Sequence, residues 1–249
     1  MSAFIQSLPS DVGETAAAAL DLLFPRLCAG CGKNVDRPHS HVCWECFRSI
    51  HLHESNLCQC CGLKIEARVT HAFACSACRE RPPAFDLARA AGRFSGVLRE
   101  LLHQFKYNRA TWLCRDLVDL LHGCMLAHMA TESVDVVAPV PLHCQKLRDR
   151  GFNQAALLAA ALAQRLDRPF AADLLARTRA TPTQTRLHAA QRRKNVHNAF
   201  AVRAPEWVRS RTILLVDDVM TTGATLSEAA ATLKQAGAWR VWAVTAARG

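Results

Sequence analysis

The chain has 249 residues, half of them hydrophobic, which is enough for one full α/β domain plus a small module. Its net charge of +10 belongs to one stretch: residues 146–211 hold 14 Lys/Arg and 4 Asp/Glu, whereas residues 1–83 are neutral with eight of each. Such a stretch expects phosphate, on a metabolite, on nucleic acid or on both, or else it is a solvated Arg-rich surface. The longest uncharged apolar run, near Ala155–Ala163, is far short of the roughly 20 residues that span a bilayer. The first residues, MSAFIQSLPSDVGET, lack the basic and apolar regions of a signal peptide. A cytoplasmic protein with no membrane insertion is therefore expected.

Residues 14–24 read as a short helix stopped by Pro25, within an N-terminal segment 1–25. Residues 26–81 hold nine of the twelve cysteines and few long apolar runs, so this module cannot build a core by hydrophobicity alone. Cys28-x-x-Cys31 is followed by Cys43-x-x-Cys46, and Cys58-x-x-Cys61 by Cys75-x-x-Cys78. Each pair can grip one tetrahedral metal from a tight turn, with Gly32 and Gly62 supplying the positive φ that the turn needs. The spacing fits two zinc ribbons, with disulfides, a redox pair and an iron–sulfur cluster as rivals. Four thiolates per ion leave no open position, so both zinc ions are expected to be structural. Cys60 is the odd member, His39, His41 and His71 are near enough to substitute as ligands, and Cys114, Cys124 and Cys144 read as ordinary buried residues.

Arg81-Pro82-Pro83 is a stiff break, and residues 84–249 read as a second domain. Helical periodicity marks Leu98–Gln104 and Arg109–Met129, with a loop over Phe105–Asn108. Val134–Val140 reads as a buried strand, Phe152–Leu166 as a helix, Ala171–Leu175 as a strand or helix end, and Arg177–Asn198 as a long basic loop or extended hairpin. Thr212–Val216, Ala224–Gln235 and Arg240–Thr245 follow as strand, helix and strand. This alternation predicts an α/β fold: a parallel sheet with helices on its faces.

The sharpest signal is the strand 212–216 followed by Asp217, Asp218 and the loop Thr221-Thr222-Gly223-Ala224-Thr225. Two carboxylates are delivered at the strand's C-terminal end, where open α/β sheets bind ligands. Backbone N–H groups at the next helix N-terminus, with the threonine hydroxyls, suit a phosphate, and Gly223 permits close approach. The acids lie at a distance suited to the hydroxyls of an attached ribose.

This segment resembles the phosphoribosyl-pyrophosphate (PRPP) motif of type I phosphoribosyltransferases. The resemblance implies that Asp217 and Asp218 hold the ribose hydroxyls, that Thr221–Thr225 hold the 5′-phosphate, and that Mg²⁺ enters with the PRPP, held mainly by ligand oxygens. Pro139-Val-Pro-Leu142 and Lys146-Leu-Arg-Asp-Arg-Gly-Phe-Asn-Gln154 follow the first strand, where that fold keeps its pyrophosphate loop; Lys146, Arg148, Arg150 and Gly151 are its candidates. This stretch, the segment Ala176–Phe200 with Gln184, Arg192, Asn195 and Phe200, and the cysteine module together resemble the ComF family of competence-related proteins. The resemblance implies a part in natural transformation or use of external DNA, with competence proteins as partners; single-stranded DNA is expected instead from the surplus basic residues Arg186, Arg192, Arg193 and Lys194, which have few acids nearby and suit its phosphates. One departure is Thr221, where 6-oxopurine phosphoribosyltransferases carry an acid. Lys106 and Tyr107 are marked because a lysine on a preceding loop can reach a pyrophosphate; a solvated Lys beside a core-edge Tyr is the alternative. A phosphoribosyltransferase and a non-catalytic ligand-sensing module both fit the sequence.

Overall fold

A computed structural model describes residues 26–53, 55–65, 71–179 and 197–249. The helix expected at 14–24 and the candidates Gln184, Arg192 and Asn195 lie outside the described residues. In chain order the elements are α1 (Trp44–Arg48), α2 (Ser76–Glu80), β1 (Leu87–Arg93), α3 (Gly96–Tyr107), α4 (Cys114–His128), β2 (Val136–Pro139), α5 (Cys144–Arg150), α6 (Gln154–Leu166), β3 (Leu175–Arg177), β4 (Phe200–Val202), β5 (Thr212–Met220), α7 (Ala224–Gln235) and β6 (Arg240–Arg248).

β1, β6, β5 and β2 form one sheet in that order, all parallel. The central strands β5 and β6 are buried on both faces, which is why they read as continuous apolar runs. Alternate residues feed two cores. Leu214, Val216 and Val244 face the layer of α3, α4 and α6, while Ile213, Leu215 and Ala243 face α7 and the β3–β4 hairpin. The expected architecture of helices on both faces is the one found.

One strand has no counterpart in the sequence reading, and three local readings need correction. β1 (LARAAGR) has no β-branched residue and little strand propensity, yet it pairs with β6 from Leu87↔Trp242 to Arg93↔Arg248. The loop expected at Phe105–Asn108 is helix as far as Tyr107: Leu98, Leu101, Leu102 and Phe105 lie on one buried face, so Phe105 completes the stripe and Asn108 takes the C-cap. Residues 144–150 form helix α5, closed by Gly151 at φ 82°. Cys144 is exposed and Cys114 half-buried, so of the three outlying cysteines only Cys124 is a core residue.

The chain leaves β2 in one direction and β5 in the other. α6 carries it outward to a parallel bridge, Val137↔Phe170, beyond β2, whereas α7 carries it from β5 back to β6 on the opposite face. A crevice therefore opens between the C-terminal ends of β2 and β5, the topological switch point of the sheet.

Both cysteine ribbons pack into this domain. Cys28, Cys43 and Cys46 share a core with Leu101 and Leu117, and Cys58, Cys61, Cys75 and Cys78 share the other with Phe85 and Leu226. The segment between the ribbons lies along the outer edge of β1, with Leu52 bridging Gly92; a Cβ at Gly92 would come within 2.9 Å of the His51 carbonyl.

Candidate active site and metal centres

The cysteines form two four-thiol clusters, Cys28/Cys31/Cys43/Cys46 and Cys58/Cys61/Cys75/Cys78, with sulfurs within 4.8 Å of one another. No histidine joins either among the described residues, so His39, His41 and His71 are not placed as ligands. Cys31 Sγ lies 3.7 Å from Cys43 Sγ, and Cys61 Sγ 3.8 Å from Cys75 Sγ. A tetrahedron with Zn–S of about 2.3 Å requires about 3.8 Å between sulfurs, whereas a disulfide requires about 2 Å. The first pair of each set sits on a knuckle turned by Gly32 (φ 73°) or Gly62 (φ 65°), and the second pair opens α1 or α2. Burial raises the Cys58 thiol, but hydrogen bonds from the amides of Cys61, Cys75 and Cys60 outweigh it and bring it down to about 6. Cys28 is treated likewise by the amides of Cys43, Cys31 and Gly30, reaching about 7. Cys46 and Cys78 are pushed up by burial and by neighbouring thiols, a repulsion that a dication removes. The donor sets fit two structural zinc ions.

At the switch point lies a cavity of about 680 Å³. β5 delivers Asp217 and Asp218 to its floor, and Thr221 and Thr225 line the adjoining wall. Lys106, at the end of α3, sets its Nζ 2.7 Å from Asp218 Oδ2, with only 22% of the lysine side chain and 11% of the aspartate side chain exposed. Burial raises Asp217 to about 7, helped by the charge of Asp218 and opposed by Lys106 and Arg177. Lys106 pulls the other way: burial disfavours its charge, yet the two carboxylates hold it above the ordinary lysine value.

Lys146 and Arg150 also line the cavity, as does Arg177. Burial and the charges of Arg177, Arg150 and Lys106 lower Lys146. The cavity therefore pairs an acidic floor with a cationic wall whose members repel one another, an arrangement that an anion relieves.

The stretch 150–154 builds this wall residue by residue. Gly151 takes the left-handed turn that ends α5. Phe152 meets Phe105 edge-on at 6.1 Å. Asn153 accepts from the Ala155 amide to cap α6 and donates to the Val140 carbonyl at 3.1 Å. Gln154 accepts from Arg150 Nη1 at 3.0 Å and donates to the Lys106 carbonyl at 3.4 Å, while Arg150 also lies over the Tyr107 ring. One glutamine thus ties together two cations that the sequence singled out separately.

Not every candidate enters the cavity. Arg148 is exposed on α5 and does not line it. Gly151 acts through the backbone. Thr222, Gly223 and Ala224 line a second cavity, of about 490 Å³, between the Thr221–Thr225 loop and the second ribbon. Gly223 has φ 75° and packs against Phe85, and the Ala224 amide donates to Thr222 Oγ1. Sequence reasoning missed Arg177, Phe94 and the α3 wall of Arg99, Glu100 and His103. Arg177 looked like the start of a polar loop; only its pairing with Phe200 in the β3–β4 hairpin turns it to the site. Nothing in the sequence marked the α3 wall.

A parallel sheet with an acidic pair and hydroxyl loop at its switch point, joined to two four-cysteine centres, defines a phosphoribosyltransferase-type domain carrying a double zinc ribbon. The comparisons agree: residues 153–249 match the phosphoribosyl transferase domain family and residues 19–79 the double zinc ribbon domain family. The chain is 34% identical over 221 residues to the DNA utilization protein YhgH of Escherichia coli O157:H7, covering 87% of this chain and 94% of that one. It is 32% identical over 215 residues to competence protein F of Haemophilus influenzae, covering 84% and 91%. A Bacillus subtilis glutamine PRPP amidotransferase aligns with 53% of this chain and 26% of its own, at 22% identity and a TM-score of 0.35. The chain belongs to the ComF/YhgH family.

Proposed function

We propose that the cavity at the switch point binds PRPP with Mg²⁺ and that the protein uses this ligand in a cytoplasmic step of DNA utilisation, alongside competence proteins. The observation that carries the reading is the meeting, in one cavity, of the Asp217–Asp218 pair, of Thr221 and Thr225 at the two ends of the hydroxyl loop, and of the cations Lys106, Lys146, Arg150 and Arg177. Asp217 and Asp218 accept the ribose hydroxyls. Thr221, Thr225 and the loop amides hold the 5′-phosphate. Lys106, Lys146, Arg150 and Arg177 face the pyrophosphate, and Arg148, outside the cavity, takes no part. Mg²⁺, held mainly by ligand oxygens, would neutralise pyrophosphate charge. In turnover a nucleophile bonds to the anomeric carbon, the bond to pyrophosphate breaks, and the leaving group departs with its electron pair toward this cationic wall.

The test is calorimetry of PRPP in Mg²⁺ with Asp217→Asn/Asp218→Asn, which should weaken binding at least about a hundredfold, since two charged acceptors are lost, without changing the melting temperature by more than a few degrees. Unchanged affinity would refute the site. A second reading, ligand sensing without turnover by a module that binds single-stranded DNA, is favoured by Thr221, which leaves the motif without an acid for the proton of a base. Pyrophosphate release from labelled PRPP, with and without bases or oligonucleotides, separates the two readings.

A further inference from the structure

The sheet end opposite the cavity carries a second surface that the PRPP reading does not use. Five residues precede Asp217 from the start of β5 at Thr212, so this face lies about 17 Å from the acidic pair at ~3.3 Å per residue. Two tryptophans stand out from it: Trp207, 37% exposed, and Trp239, 65% exposed. Each has a guanidinium over its indole, Arg211 at 5.3 Å from the Trp207 centroid and Arg240 at 5.9 Å from that of Trp239. The two segments are fastened by backbone hydrogen bonds: Trp239 N to Arg211 O at 2.9 Å, Arg240 N to Arg211 O at 3.3 Å, and Ser210 N to Gly237 O at 2.9 Å. Arg209 lies beside Gly237. Among the described residues no carboxylate forms an ion pair with Arg209, Arg211 or Arg240.

We infer that Trp207, Arg209, Arg211, Trp239 and Arg240 form a binding face for single-stranded nucleic acid, with bases stacking on the indoles and arginines meeting the phosphates. Each guanidinium lies over one face of its indole, and the exposed remainder of the ring offers a planar surface on which a base can stack. The lack of paired carboxylates matches a polyanion rather than a neutral protein surface. The backbone ties hold both platforms before the strand arrives, so little ordering remains on binding. This inference rests on the DNA role proposed above and places the strand at the sheet end opposite the cavity, whereas the charge pattern of the sequence predicts it on the basic segment 177–198.

The test is anisotropy of a labelled oligothymidylate of about twenty nucleotides with full-length, zinc-loaded protein. Trp207→Ala/Trp239→Ala should weaken binding at least about tenfold, and Arg209→Ala/Arg211→Ala/Arg240→Ala should flatten the slope of log K against log salt by about two units. Both variants should keep PRPP affinity and melting temperature. If the parent protein binds no oligonucleotide at low salt, the DNA role and this face fall together. If the parent binds and the tryptophan variant binds equally well, while Arg192→Ala/Arg193→Ala/Lys194→Ala loses affinity, only this face falls. A parent dimer that Trp239→Ala converts to monomer would assign the face to a second copy of the chain and overturn the inference.

Discussion

The two ribbons share a cysteine pattern and a pair of short helices, but they brace different parts of the domain. The first docks on the helical layer. Ser40 Oγ donates to Asp116 Oδ1 and the His41 amide donates to Asp116 Oδ2 at 3.1 Å, while Gln104 donates to the Ala29 carbonyl at 2.8 Å. Asp116 is 2% exposed, a buried carboxylate on α4 whose partners come from the ribbon. The second docks on the sheet and beside the Thr221–Thr225 loop. The Ala88 amide donates to the Cys60 carbonyl at 2.7 Å, Arg89 to the Cys58 carbonyl at 3.3 Å, and Arg248 to the Cys61 carbonyl. Arg248 also touches Met220 Sδ, one residue before Thr221, and the Gly249 amide donates to the Met220 carbonyl at 3.0 Å. The same cysteine motif therefore backs the helical layer at one end and the Thr221–Thr225 loop at the other, because what a ribbon supports is decided by the surface it covers.

The largest contrast should come from the metals. Cys61→Ser should lose one zinc per chain and weaken PRPP binding at least about tenfold, because a structural site unfolds locally without its ion. Cys28→Ser should also lose one zinc and lower the melting temperature, with affinity held within about twofold. Zinc analysis paired with calorimetry checks both, and equal losses of affinity in the two variants would erase the distinction.

A smaller effect should follow from Asp116→Ala, which strands the Ser40 hydroxyl and the His41 amide. Denaturant unfolding of zinc-loaded protein should show a loss of about 2–3 kcal/mol, with PRPP affinity unchanged. Smaller still, Arg248→Ala should keep both zinc ions but weaken PRPP binding about fivefold, the equivalent of one hydrogen bond of about 1 kcal/mol. No change in affinity would mean that the second ribbon reaches the loop by packing alone, through Phe85 against Gly223.

The smallest effect concerns pH, the condition under which the ribbon variants are compared. Asp217 is raised to about 7, above its ordinary carboxylate value. The folded state thus binds its proton more tightly than the unfolded chain, so its contribution favours folding below the ordinary carboxylate range and is lost as pH rises through about 7. On the proposed reading, the ribose hydroxyls donate to the ionised form. Affinity should therefore fall about twofold from pH 8 to pH 7, with proton release on binding near pH 7. Calorimetry in buffers of different ionisation enthalpy reads that proton, and a flat profile would remove Asp217 from the contact.

Much of the site was legible because its chemistry is local. The carboxylates, hydroxyl loop and Gly223 fall within nine consecutive residues at a strand–helix junction, and α7 runs over Ala224–Gln235 as its periodicity indicates. The cysteine pairs were legible because a knuckle is a single turn. The Gly151–Gln154 run was visible as a motif, but its roles were not, since Gln154 acts on Lys106, 48 positions away in sequence.

The sequence by itself determined the parts whose physics is contained in one segment: two sets of four clustered cysteines, the buried strands β2, β5 and β6, and the acidic pair and hydroxyl loop before a helix start. Tertiary structure alone decided the rest. β1 is a strand because β6 and the segment between the ribbons flank it, not because LARAAGR favours one. Lys106 faces Asp218 because α3 continues through Phe105 into the core, which turns the lysine inward. Arg177 reaches the cavity because the hairpin closes, and Arg148 misses it because α5 points it to solvent. Likewise Trp207 and Trp239 become one surface only when β5 and β6 lie side by side. Burial and charge pairing between distant segments depend on which elements pack together, and no local pattern carries that information.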